Sequence, residues 1–274
     1  MGTERDLLRR VDAYLDLAPD GDATCIDVGP LRAFVSRAPW PFYVRPRPGL
    51  DLGAPDSVTS DDVSGAAAVL AEAGQAVAFE WVEELAPSLG ATLAAAGYAV
   101  EAHPLLVLDL GSRPAISSSR ARILAAGSPD LRRALAVSEV GFAAAGTGLG
   151  TAGAVERDAI LDEVDSELVP HVTTRMREGR SVIAVLDDAR DGVVSTGWHQ
   201  PIGDATEVVG VATLPGHRRR GAAVEVVDRL LHDARARGCT LALLSATDGD
   251  VARVYERLGF TRVATACEAM QPPT

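Results

Sequence analysis

Residues 213–231 read TLPGHRRRGAAVEVVDRLL, three consecutive arginines and a glycine directly ahead of an apolar-periodic run. Proline cannot donate to a sheet ladder, so Pro215 marks the end of a strand. Gly221 admits backbone conformations closed to residues with a Cβ, and Ala222 and Ala223 keep the next turn thin. The helix that follows begins with amides that have no intrahelical acceptor and carry partial positive charge. Arg218, Arg219 and Arg220 add full charges around that opening. The combination suits a phosphate or pyrophosphate. The stretch has neither the Walker spacing nor that of a GxGxxG fingerprint, so it points to neither a nucleoside triphosphate nor a dinucleotide.

Outward from this turn, the second half of the chain alternates between the two periodicities. TEVVGVATL before it reads as a strand, and AAVEVVDRLLHDARARG after it as a helix with Val224, Val227, Leu230, Leu231 and Ala234 on one face and Gly238 as its stop. Further on come a buried strand (CTLALLSA), a short helix ended by Gly259 (DVARVYERLG) and a last strand (FTRVATACEAM). Upstream, SVIAVLDD and GVVSTGWHQ read as a strand pair turning through Ala189 to Asp191. Residues 154–178 read as helix, SPDLRRALAVSEVGF as a helix capped by Ser128, and RARILAAG as a strand.

The first half carries a fainter copy of the same order. SDDVSGAAAVLAEAG is a capped helix, QAVAFEWV a strand, LAPSLGATLAAAGY a helix and AVEAHPLLVLDL a strand. AAAGYAVEAHPL lies over ERLGFTRVATAC with Gly97 on Gly259 and Tyr98 on Phe260, which suggests a duplicated fold. The Ser-, Gly- and Pro-rich DLGSRPAISSSR separates the halves. The expected division is a domain over 1–112, a linker over 113–119 and a domain over 120–274. The expected class is α/β, each domain a mixed, mostly antiparallel sheet flanked by helices.

Composition sets the outer bounds. The chain has 274 residues, 47% of them hydrophobic, and can bury a proper core, but with 4% aromatics that core must be mostly Ala, Val and Leu. A formal net charge of −12 argues against nucleic-acid binding, which needs a broad basic face. Cys25, Cys239 and Cys267 are widely spaced, form no metal-ligand cluster and sit beside apolar residues, so they read as buried free thiols in a reducing cytoplasm. No window approaches 18 uncharged apolar residues and the N-terminus lacks a signal-peptide core, which leads to the expectation of a soluble, cytoplasmic chain without a membrane partner.

RRRGAA resembles the pyrophosphate loop of the GNAT superfamily of acyl-CoA-dependent N-acyltransferases, Gln/Arg-x-x-Gly-x-Gly/Ala, with Arg218 first, Gly221 as the glycine and Ala223 as the final small residue. DGDVARVYERLGF resembles that family's Asn-x-x-Ala-x-x-x-Tyr-x-x-x-Gly-Phe segment, with Asp248 in place of the asparagine and Val251 in place of the alanine. The resemblance covers about residues 120–270 as fold and 207–263 as motif. It implies acetyl-CoA as co-substrate and no metal. Main-chain groups of Val211, Ala212 and Thr213 would meet the pantetheine arm. Amides from Arg219 through Val224, with Arg220, Gly221, Ala222 and Ala223 between them, would meet the phosphates. Asp248 would lie beside the cofactor, and Tyr255 would protonate the departing thiolate.

Attack on a thioester needs a neutral amine, hence a base or a water path to one. Glu207, at the start of the cofactor strand where family members often carry a glutamate, is the first candidate. An exposed strand-end glutamate is the other reading. His199 is second, since its ordinary pKa suits base work near neutrality, although a histidine beside Trp198 also fits a structural place. His217 reads as packing or phosphate-adjacent. The amide of Val211 is the candidate oxyanion donor. In the first half GLDLGAPDSVTSDDV carries no basic residue and an acidic helix start, and Leu93 stands where Tyr255 would fall, so that half reads as a degenerate copy without cofactor. RAPWPFYVRPRPG, 37–49, reads as a packed proline-rich loop, a substrate wall or an inter-domain face.

The reading that results is acetyl transfer from acetyl-CoA to a primary amine of a small molecule, by direct attack in a ternary complex. The alternative is a non-catalytic acyl-CoA-binding sensor of the same fold. A homodimer is compatible with the sequence.

Overall fold

The N-terminal helix α1 (Glu4–Leu17) turns Leu8, Val11 and Tyr14 inward at helical spacing, and with them Asp16, which pairs with Arg32 at 2.6 Å. The computed structural model to which it belongs describes residues 4–112, 119–144 and 146–271, so all but Ser119 of the expected linker lies outside the described residues. The chain forms two compact units. One takes the residues through Leu106 with Ser245–Asp248 and everything from Arg262 onward; the other takes Val107–Leu244 and Gly249–Thr261.

After α1, the first unit runs β1 (Ala23–Val28), β2 (Leu31–Ser36), β3 (Val44–Pro46), α2 (Ser60–Glu72), β4 (Ala78–Val82), α3 (Leu89–Ala95) and β5 (Ala99–Asp109). Its strand order is β1-β2-β3-β4-β11-β5, where β11 (Thr261–Met270) is the last strand of the chain. β11 is antiparallel to β4, Cys267 opposite Trp81, while β3 and β4 are parallel with Val44 beside Phe79. The core is largely aliphatic: Leu31, Val44, Leu70, Leu89 and Leu93 surround Phe79 and Trp81. Each such side chain removed from water contributes on the order of 1.5–3 kcal/mol.

The second unit contains β6 (Arg122–Ile123), α4 (Leu131–Ala143), α5 (Ala154–Ala159), α6 (Leu168–Arg177), β7 (Val182–Asp188), β8 (Gly192–Ile202), β9 (Ala205–Thr213), α7 (Ala222–Ala236), β10 (Leu241–Ser245) and α8 (Gly249–Glu256). Its order is β10-β9-β8-β7-β6, antiparallel except that β9 and β10 run parallel. Both α4 and α7 pack on β8 and β9, and α7 buries Val226, Val227, Leu230, Leu231 and Ala234. The architecture is the mixed, mostly antiparallel α/β arrangement expected. Among the described residues no helix is long and apolar enough to cross a membrane.

Several local expectations need correction. The helix expected over 154–178 is two helices. Pro170 is tolerated only in the first turn of a helix, so α6 has to start afresh at Leu168, and Asp165 accepts the Glu167 N–H at 2.7 Å just ahead of it. α4 begins three residues after Ser128, whose hydroxyl instead accepts the Asp130 N–H at 3.2 Å in the lead-in turn. RARILAAG forms a strand only over Arg122–Ile123. The strands β1 and β2 carry no clear alternation that sequence could show, and the 37–49 segment, expected as a proline-rich loop, contains the strand β3 at Val44–Pro46. Cys239 and Cys267 are buried and in no disulfide among the described residues, but Cys25 is exposed because it lies on β1, at the edge of its strand order.

Candidate functional site

The site begins where two strands part. β9 and β10 are paired in parallel at Ala205/Leu241, Thr206/Ala242 and Glu207/Leu243, whereas β9 stays in register with β8 as far as Thr213. Beyond Glu207 the β10-facing edge of β9 therefore has no ladder partner among the described residues. The ladder on the other edge slips as well. Trp198 faces Val209 and Thr196 faces Ala212, so Gly210 and Val211 together oppose the single residue Gly197. Gly210 has φ +60°, which makes this a bulge of the glycine type and leaves the surplus residue outside the ladder. The Trp198 ring lies against Gly210, and its buried indole N–H has no hydrogen-bond partner among the described residues. The sequence shows Trp198 only as the neighbour of His199 and gives Gly210 no role. A lone glycine inside a strand pattern was the available signal.

β9 runs into a 3-10 turn, Pro215–His217, and then into the arginine loop. Arg219 has φ +61°, a strained value for a residue with a Cβ, and Gly221 has φ +79° at the start of α7. Left-handed residues alternating through a turn aim successive N–H groups to one side, the concave arrangement that holds anions. Gly221 has no side chain to cap the helix, so the first α7 amides are not closed off by one. Arg120 hydrogen-bonds the one acidic group of the first turn, Glu225, and holds its carboxyl below the usual range. Arg219 and Arg220 are exposed and make no hydrogen bond or salt bridge among the described residues.

The three arginines do not act alike. Arg218 donates to main-chain carbonyls: Nη2 to Gly141 at 2.7 Å and Ala144 at 2.8 Å, Nη1 to Gly148 and Nε to Thr213, both at 3.3 Å. It thereby caps the C-terminal end of α4 and holds it to the end of β9. The α4–α5 connection is also tied to the loop by Gly150 N–H to Pro215 O at 3.1 Å and Gly216 N–H to Ala152 O at 2.9 Å. GLGTAG, 148–153, has GxGxxG spacing but follows a helix and not a strand, so it backs this loop and does not open a dinucleotide site. His217 is buried with Nε2 2.9 Å from Asp191 Oδ2, and the buried Arg157 donates to Asp191 O at 2.7 Å, which fixes the β7–β8 turn beside the loop.

The acid–base candidates come from three places. Glu207 is half-buried on the last rung before β9 and β10 separate, with Gln200 as its register partner. Neighbouring residues of a strand face opposite ways, so Glu207 and Thr206 lie on opposite faces of β9. Thr206 and His199 are both fully buried: His199 Nδ1 is 2.9 Å from Thr206 Oγ1, and Nε2 is 3.1 Å from Asp233 Oδ2 on α7. This Thr–His–Asp chain has the order of a nucleophilic triad without access to a substrate. Burial opposes ionisation of Asp233, but hydrogen bonds from His199 and Arg237 outweigh it and hold the carboxyl at about 2. Tyr255, on α8, packs edge-on to Phe260 with centroids 6.0 Å apart; burial pushes its phenol up to about 12. Its hydroxyl makes no hydrogen bond among the described residues, so it remains a protonated donor across the neutral range. Asp248 is exposed and immediately precedes α8. The structure thus brings Val211, Ala212, Thr213 and the loop through Val224 into one continuous stretch, with Glu207 at its head. It sets His199 on the α7 face.

Residues 156–260 match the model of the Acetyltransferase (GNAT) family. No curated protein matches the chain. A GCN5-related N-acetyltransferase from Kribbella flavida shares the fold, with a TM-score of 0.70 at 20% identity over 98% of this chain and 96% of that one. An acetyltransferase of the GNAT family from Novosphingobium aromaticivorans gives 0.54 at 18% identity, covering 91% and 92%. A tandem GNAT protein from the clavulanic acid biosynthesis pathway gives 0.52 at 17% identity, covering 89% and 79%.

Proposed function

With a GNAT acetyltransferase domain over residues 156–260 as the premise, we propose that this chain transfers an acetyl group from acetyl-CoA to a primary amine of a small molecule, by direct attack in a ternary complex. The observation that carries the reading is the cationic, uncapped start of α7, placed at the end of a strand that has parted from its neighbour. In a chain of net charge −12, such a cradle fits a ligand that is itself strongly anionic, as a pyrophosphate-bearing cofactor is. When bound, acetyl-CoA supplies the acyl group already activated as a thioester.

Each residue then has a defined task. Amides from Arg219 to Val224 take the phosphates with the guanidinium groups of Arg219 and Arg220, while Arg218 holds the loop in shape from behind. Main-chain groups of Val211, Ala212 and Thr213 extend the unpaired edge of β9 along the pantetheine arm. The Val211 amide, within the bulge, donates to the acyl oxygen as negative charge develops there. Glu207 receives the proton of the attacking amine, directly or through water, at the head of the cleft. As the new C–N bond forms and the C–S bond breaks, Tyr255 gives its proton to the departing sulfur. Asp248 borders the cofactor ahead of α8. His199 is assigned to holding α7 on the sheet, because Thr206 and Asp233 occupy both of its ring nitrogens.

Tyr255→Phe tests this assignment. It keeps the ring against Phe260 and removes only the acid, so calorimetry should show CoA and acetyl-CoA binding unchanged. In an amine-library screen followed by thiol release, turnover should fall roughly 100-fold or more. Binding without turnover in the wild type, unaltered by the substitution, would identify an acyl-CoA-binding sensor instead. No binding at all would overturn both.

A further inference from the structure

Glu101 and His103 lie two residues apart on β5 and so share one face of the strand, and Glu268 stands beside them on the adjacent β11. His103 Nε2 is 3.2 Å from Glu268 Oε1 and 3.9 Å from Glu101 Oε2. One ligand atom from each of the three lies within 4.8 Å of the others. The second ring nitrogen, Nδ1, is 3.0 Å from Thr247 O. A carbonyl oxygen only accepts, so Nδ1 carries the proton. Nε2 in turn faces the carboxylates of Glu268 and Glu101, so one imidazole nitrogen and two carboxylate oxygens converge on one point. All four residues belong to the first unit, and the acyl transfer described above uses none of them.

We propose that Glu101, His103 and Glu268 form a binding site for a divalent transition-metal ion, zinc foremost. One imidazole and two carboxylates are borderline-to-hard donors of the kind that zinc accepts, whereas calcium and magnesium take all-oxygen sets. Tetrahedral zinc with bonds of about 2.0–2.1 Å places its ligand atoms roughly 3.3 Å apart. The His103–Glu268 separation already has that value, and Glu101, with a side chain 65% exposed, has the freedom to close the remainder. The Nδ1–H bond to Thr247 O is the outer contact that orients a metal-binding histidine and strengthens its other nitrogen as a ligand. Three protein ligands leave the fourth position to water. Through Thr247 the ion would brace β5 and β11 against the connection that follows β10.

The test uses the tag-free full chain, stripped with chelator and titrated with zinc. One ion per chain is expected by calorimetry, with a rise of several degrees in the unfolding temperature. His103→Gln and Glu268→Gln should each weaken binding at least tenfold and abolish that rise. Cobalt substitution of the wild type reports on the ligands even if a variant fails to fold. Visible d–d bands without a thiolate charge-transfer band are expected; such a band would place the metal on a cysteine and overturn the proposal. Absence of one-to-one binding, or equal affinity in folded His103→Gln, would overturn it too and leave a protonated histidine between two glutamates.

Discussion

The helix that starts after Thr59 and the helix that starts after Gly221 follow the same run of elements. α2 lies between β3 and β4, α7 between β9 and β10, and in both cases the flanking strands are parallel. The likeness continues downstream. After α3, Gly97 N–H bonds Ala94 O and Tyr98 N–H bonds Leu93 O; after α8, Gly259 N–H bonds Glu256 O and Phe260 N–H bonds Tyr255 O. Each aromatic then packs edge-on within its own unit, Tyr98 on Phe79 and Phe260 on Tyr255. The helix starts themselves differ. At α2, Thr59 accepts the Asp62 N–H and Asp62 accepts the Thr59 N–H, so the exposed amides are closed by the chain's own side chains, and Asp61 adds negative charge. At α7, Gly221 caps nothing, Arg120 holds Glu225, and two arginines stand outside. A handful of side chains converts one backbone layout from self-satisfied to anion-seeking.

The harshest way to break that contrast is to give α7 the character of α2. Arg219→Glu with Gly221→Asp puts two carboxylates at the helix start, and Asp tolerates the left-handed conformation better than most residues. Acetyl-CoA affinity should fall by roughly 10³-fold or more, since charge-assisted bonds are replaced by repulsion. Calorimetry measures it, and undiminished binding would remove the phosphate role of this loop. Arg218→Gln tests the claim that the arginines differ. It withdraws donors from the carbonyls of Gly141 and Ala144, so its main effect should be a stability loss of about 2–3 kcal/mol in chemical unfolding, with a smaller loss of affinity. A large affinity loss at unchanged stability would mean that Arg218 meets the ligand itself.

How much of this was legible beforehand follows from the physics of each signal. The loop, its glycine and the α7 face were readable because helix starts and amphipathic periods are local. The doubling of the fold was readable from Gly97, Gly259 and the aromatic after each. The different work of Arg218 was not, because its partners sit some 70 residues earlier, around Gly141, Ala144 and Gly148. His199 illustrates the same limit. Its residue type suits a base, and only the placement of Thr206 and Asp233 around it shows a closed, buried chain. The membership of β11 in the first unit is likewise a pairing between distant segments, on which local pattern is silent.

The His199–Asp233 contact offers a test that does not depend on any ligand. Asp233 titrates at about 2 in the folded chain against an ordinary 3.8, so its folded form binds protons less readily than its unfolded form. The associated stabilisation, about 2 kcal/mol, is present in full above pH 4 or so and is lost as pH falls toward 2. Asp233→Asn should therefore be less stable at neutral pH and show a flatter decline in acid. Urea unfolding at a series of pH values from 6 downward measures both. A slope identical to the wild type would mean that Arg237 and His199 do not favour the ionised form.

The smallest expected effect belongs to the other helix start, and it completes the contrast. Thr59→Ala removes the side chain that accepts the Asp62 N–H, and with it half of the reciprocal cap on α2. N-cap losses of this kind cost about 1 kcal/mol. That should appear as a modest fall in unfolding temperature and faster amide exchange across the first turn of α2. Acetyl-CoA affinity should not change, even though the substitution opens an amide at a helix start. Asp61 and Asp62 keep the field there negative, and no arginine replaces the lost cap. If the variant gained measurable affinity for inorganic pyrophosphate, an open helix start alone would suffice to recruit the anion. The arginines at α7 would then be dispensable for selecting it, and geometry, not charge, would separate the two halves.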